Sequence, residues 1–129
     1  MLAVDTNVVL RFLTRDDARQ FARANGLIRD NDVYVCVTVL LETEWVLRGA
    51  YGYGQARILE ALRDLAALPR VSVEDLATVA QSFEWTAGGM EFADALHLAR
   101  TQDCEAFVSF DRRLARTAKA AGAPAVRPP

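Results

Sequence analysis

Short apolar runs recur along this chain, each handing over to a longer stretch with helical spacing, and that alternation limits the folds open to it. The runs are Leu2–Asp5, Val33–Val37, Val71–Val73 and Ala106–Phe110, with a last edge strand expected near Ala125. Between them the spacing predicts helices over Thr6–Leu13, Asp16–Asp30, Thr38–Tyr51, Gln55–Leu68, Asp75–Thr86, Glu91–Gln102 and Asp111–Ala121. Asp16 and Asp17 are candidate caps for the second helix, Gly52 and Gly54 stop the third, Pro69 follows the fourth, and Gly88 and Gly89 break the chain before the sixth. Strands alternating with helices argue for a parallel sheet flanked by helices, an α/β layered fold. At 129 residues with 52% hydrophobic content, the chain is expected to form one domain over 1–129 with no linker.

Charge narrows the possible partners. Fifteen Lys plus Arg against seventeen Asp plus Glu give a net charge of −2, so no overall basic field exists to hold nucleic acid and any such contact must be local. Cys36 and Cys104 have no C-x-x-C spacing and are expected to be buried, reduced thiols, which suits a cytosolic protein. The longest uncharged apolar stretch, Val33 to Leu41, is far shorter than the roughly 20 residues of a membrane span. Asp5 and Arg11 interrupt the N-terminal stretch where a signal peptide needs an unbroken apolar segment. A soluble, cytoplasmic chain is the expectation.

Acids at the carboxyl ends of strands carry the chemistry. In an open α/β fold those ends share one edge, where ligands bind. Asp5 follows the first strand in "LAVDTNVVLRFL", and Asp111 follows the fourth in "AFVSFDRRLAR"; each could also serve only as a helix N-cap. In "TVLLETEWVLRGAY", Glu42 and Glu44 are two apart and so point to nearly opposite sides of a helix. Glu44 has Arg48 four residues on, in the favoured order for an ion pair. Glu42 shares its face with Thr38, Val39, Trp45, Val46 and Gly49, where no cation answers its charge, and is the better site candidate. In "GGMEFADALHLAR", Glu91 and Asp94 lie on one face near a helix N-terminus, where the dipole tolerates acids. His97, the only histidine, could be a ligand, a base or a polar packing residue. Carboxylates gathered in one cleft repel one another unless cations neutralise them. With few nitrogen donors, the fitting ions are hard ones, Mg2+ or Mn2+, which activate water and stabilise charge on a phosphoryl group.

Four motifs now stand in order: "VDTN" at Val4–Asn7, "LLETEWVL" around Glu42, "FADALHLA" around Asp94 and "SFDRRLA" around Asp111. In these the chain resembles the PIN-domain nucleases and, within them, the VapC-type toxins of toxin–antitoxin pairs, over essentially its whole length. The resemblance implies a PIN-like three-layer α/β/α fold with a central, mainly parallel sheet of four to five strands. It implies an Mg2+- or Mn2+-dependent endoribonuclease that cuts transfer or ribosomal RNA, acts as a homodimer and is inhibited by a VapB-type antitoxin, whose Arg or Lys could enter the acidic pocket. Carried over by position, Asp5, Glu42, Asp94 and Asp111 are the catalytic acids, Asp5 and Asp94 the most direct metal ligands, and Thr6 and Asn7 the pair that orients Asp5. Glu91 departs from the aspartate common in relatives and is left out of this set. Arg11, Arg15, Arg112, Arg113 and Arg116 are candidates for a phosphate-binding rim. Two rivals remain: a PIN scaffold that binds RNA or protein without turnover, and a phosphoaspartate phosphatase or receiver domain, which would want a lysine near the site where only Lys119 is on offer.

Overall fold

The computed structural model describes residues 1–129, whose contacts group into two compact units, Met1–Leu76 and Ala77–Pro129. The first unit runs β1 (Leu2–Ala3), α1 (Thr6–Thr14), α2 (Ala18–Asp30), β2 (Val33–Val35), α3 (Val37–Gly49), α4 (Gln55–Ala67) and β3 (Val71–Val73). Its sheet has the order β1-β2-β3 and is parallel throughout, with Leu2 opposite Val33 and Val33 opposite Val71. Val33 and Val35 on the central strand are fully buried, as are Leu40, Leu47 and Leu62 on the helices. Helix α1 packs on α2 and α3, and α4 packs on α3 and β3.

The second unit contains α5 (Leu76–Ala87), α6 (Phe92–Ala99), β4 (Phe107–Val108), α7 (Arg112–Ala120) and β5 (Val126–Arg127). Its core is Trp85, Met90, Ala95, Leu98, Ala99, Leu114 and Ala118, with Phe83 stacked on Phe92 at 5.8 Å. Gly89 separates α5 from α6 at φ +115°, a conformation glycine adopts without the clash a Cβ would bring.

The five expected strands are present and each ladder is parallel, with three strands in the first unit and two in the second. Each strand has only two or three residues, so each pair has few bonds with which to extend a ladder. Helix α6 stops at Ala99 instead of Gln102. There the Thr101 hydroxyl donates to the His97 carbonyl at 2.7 Å and the Gln102 amide to that of Ala99 at 3.1 Å, satisfying carbonyls that a longer helix would have used. Cys104 therefore falls in a turn and is exposed, against the expectation of burial; Cys36 is half-buried, and both are free thiols. No helix is long and apolar enough to cross a membrane.

Only Asp17 of the two candidate caps does that work, accepting from the Gln20 amide at 2.9 Å. Asp16 instead joins α1 to the end of α3. Its carboxylate accepts from Arg11 at 3.1 Å, from the Tyr51 hydroxyl at 2.8 Å and from the Thr14 hydroxyl at 2.9 Å. The Tyr51 bond, then that from Thr14 and the Arg11 charge, holds the Asp16 carboxyl below the ordinary carboxylate range. A depressed folded pKa adds stability above the unfolded value that is lost as pH falls through the folded one. Asp16→Asn should therefore lower the melting temperature at pH 7, and thermal melts down to pH 2 should show its gap to the parent protein closing.

Candidate functional site

Three of the singled-out acids stand where a helix begins: Asp5, Glu91 and Asp111 are the N-caps of α1, α6 and α7, and Asp94 lies in the first turn of α6. Helix N-termini carry partial positive charge, so these positions hold acids at lower cost than elsewhere on the surface. What each carboxylate does there differs. Asp111 accepts from the Leu114 amide at 3.0 Å, while its own amide donates to the Ser109 hydroxyl. Asp5 has extended N-cap dihedrals, φ −85° and ψ 163°, yet its side chain makes no capping bond. Glu91 makes none either. The cap reading thus accounts for one oxygen of Asp111 and leaves the Asp5 carboxylate unused.

In the first unit Asp5 and Asn7 are exposed and Thr6 is buried. The Thr6 hydroxyl has no hydrogen-bond partner, so it does not hold Asp5 through a direct bond; an unpaired buried hydroxyl costs roughly 1–3 kcal/mol. Glu42 is exposed on α3, beside the exposed Trp45, and Glu44 is buried on the other side. Glu44 pairs with Arg48 at 3.0 Å as the spacing predicts, but as an inward-facing acid rather than a surface one. The start of α3 has no cap of its own at Cys36; the Val37 amide donates to the Glu74 carboxylate at 2.9 Å, across 37 positions. Glu74, absent from the sequence reading, so anchors the helix that carries Glu42. A helix beginning without Ser, Thr, Asp or Asn at its cap was the available signal that a distant residue supplies the bond.

In the second unit Asp94, Glu91, Asp111 and His97 act on one another. Burial pushes the Asp94 carboxyl up, the charges of Glu91 and Asp111 push it further, and His97 opposes them. His97 is exposed and its ring stacks on Phe107 at 6.3 Å and 12°. The arginine rim divides: Arg11 is held by Asp16, Tyr51 and Gln20 and is no free phosphate binder, while Arg15 lies over the Phe21 ring at 4.6 Å. Arg112, Arg113 and Arg116 are exposed on α7.

Within either unit no three Asp, Glu, His or Cys side chains converge tightly enough to enclose an ion. The donor chemistry nonetheless fits a hard divalent cation. Carboxylate oxygens predominate, one of them on Asp94, which burial and then its neighbours' charges push toward protonation, and Mg2+ uses one or two carboxylates while keeping several waters. Asp94 gives this crowding a measurable sign. Its folded pKa lies above the unfolded value, so stability falls as pH rises between the two, and the penalty is complete above the folded value. In excess chelator Asp94→Asn should raise the melting temperature at pH 7, and the gain should vanish below about pH 4, near the ordinary carboxylate value.

A family model of the PIN domain matches residues 2–120. Among solved structures the chain is similar to VapC20 of Mycobacterium tuberculosis, a sarcin-ricin loop cleaving toxin, with 25% identity over 99% of this chain and 100% of that one and a TM-score of 0.44. No curated protein matches. The family model spans all four acid-bearing motifs, and the chain belongs to the PIN-domain family.

Proposed function

We propose that the chain is an Mg2+- or Mn2+-dependent endoribonuclease, the VapC-type toxin of a toxin–antitoxin pair, acting in the cytoplasm as one PIN domain over 1–129. The observation that carries this reading is the PIN-domain match across residues 2–120, which takes in each acid that the motifs single out. The raised pKa of Asp94, due first to burial and then to the charges of Glu91 and Asp111, supports it, because a cation stabilises such a carboxylate. Asp5 and Asp94 are assigned as metal ligands, and Glu42 and Asp111 complete the acid set. Thr6 and Asn7 are assigned as the pair that orients Asp5, the exposed Asn7 amide being the one placed to act through water. A bound divalent cation supplies Lewis acidity and neutralises charge building on phosphoryl oxygens.

The substrate is RNA, transfer or ribosomal RNA being the class that the motifs imply. The exposed arginines of α7 begin one residue after Asp111 and suit contact with backbone phosphates. A cognate VapB-type antitoxin is the inhibitor: a basic side chain placed among these acids gains the same electrostatic stabilisation as a cation and competes with it. The active form is proposed to be a homodimer.

Purified protein should cut RNA in Mg2+ or Mn2+ and lose about a hundredfold or more of that rate in excess chelator or after Asp5→Asn or Asp94→Asn. Asp111 separates catalysis from folding. Asp111→Asn keeps a competent N-cap and should melt like the parent while losing activity, whereas Asp111→Ala should also lose about 1 kcal/mol of stability. Full activity in chelator, or in the Asp5 and Asp94 variants, would refute the assignment.

A further inference from the structure

A cavity of about 280 Å³ opens on the first unit between α1 and α2, beginning at Asn7, two residues after Asp5. Its floor is apolar, formed by Val8, Ala24 and Leu27, and its polar groups include Asn7, Gln20 and Arg23. The polar side is not free to turn as it likes. Gln20 Oε1 accepts a hydrogen bond from Arg11 Nε, and Arg11 is in turn fixed by Asp16 at 3.1 Å and Tyr51 at 3.1 Å. With its oxygen so engaged, Gln20 offers the cavity its amide N–H donors. Arg23 is exposed, has no ion-pair partner and adds a fork of further donors.

An apolar floor with the Gln20 and Arg23 donors on one edge, and the Asn7 amide on the rest of its polar lining, suits a flat aromatic ligand with acceptors on the side that faces α2. Among nucleobases, guanine presents two adjacent acceptors, O6 and N7, which match an arginine fork. Adenine and cytosine place an amino group on the corresponding edge, where it would meet the Gln20 amide donor to donor. Proteins read single-stranded RNA by taking splayed-out bases into such pockets. Resting on the ribonuclease reading, we propose that this cavity is a specificity pocket for an unpaired guanine of the RNA strand, with Gln20 and Arg23 reading its acceptor edge.

The test is equilibrium binding to the full-length chain, in chelator so that no cleavage occurs, of two short single-stranded RNAs that differ only in one central guanine or adenine. Fluorescence anisotropy should show the guanine strand bound about tenfold more tightly, within the discrimination of one bidentate base contact. Arg23→Ala should abolish the preference. Gln20→Glu retains an oxygen for Arg11 but replaces the donors with acceptors, and it should shift the preference toward adenine; a melt matching the parent's excludes misfolding. Equal binding of the two strands by the parent, binding of neither, or an unaltered preference in both variants overturns the pocket. If RNA is cut in Mn2+ while the strands bind equally, the pocket alone fails. If guanine is preferred and no RNA is ever cut, the pocket stands and the ribonuclease reading falls.

Discussion

Negative charge accumulates on this chain at the places where helices start. Asp5, Glu91 and Asp111 occupy the N-cap positions of α1, α6 and α7, and Asp94 lies in the first turn of α6. The helix dipole favours acids at these positions, yet burial, and after it the charges of Glu91 and Asp111, raises the pKa of Asp94. A purely structural use of these acids would have engaged them as caps. Asp17 and Asp111 show what such use looks like, each accepting from an amide three residues on. Asp5 occupies the same kind of position with an unengaged side chain. The strand-to-helix junction thus ends the strand and leaves the Asp5 carboxylate without a capping bond, which is what its proposed role as a metal ligand requires.

Much of this was readable in order along the chain because the signals are local. The strand Val71–Val73 matches its expected bounds, and α1, α4 and α7 end within a residue or so of theirs. Hydrophobic period, glycine stops and capping residues act over a few positions, so a linear reading captures them. The acids were legible for the same reason, since each lies at an element boundary or in a short motif. The interactions that set their surroundings were not. Arg11 was read as a rim residue, yet Tyr51, 40 positions away, fixes it. Glu74 caps a helix that begins 37 positions earlier. Glu44 pairs with Arg48 as its spacing predicts but is buried, because the face of α3 that carries it also carries Leu40 and Leu47. Strand pairing was equally hidden: hydrophobic period marks where strands lie but not which ladders their few bonds complete.

Family membership and the chemistry of the acids point in one direction. On the proposed ribonuclease reading, a PIN domain whose acids stand at helix starts and whose net charge gives no general hold on nucleic acid must recognise RNA through local features. Selectivity then falls to a few placed groups, such as the exposed arginines of α7 and the donor-lined cavity beside Asn7. The Tyr51–Asp16–Arg11–Gln20 chain of bonds ties that cavity's chemistry to the packing of α1 against α3. In that proposal the fold and the reading of substrate rest on shared side chains.

The central claim is that these acids make the chain an RNA-cutting enzyme. Sequencing of RNA 5′ ends after brief expression in cells tests it most directly. The account predicts new 5′-phosphate ends at one or a few defined positions, present with the parent chain and absent with Asp94→Asn. The same ends with both chains, or no new ends with either, would contradict it.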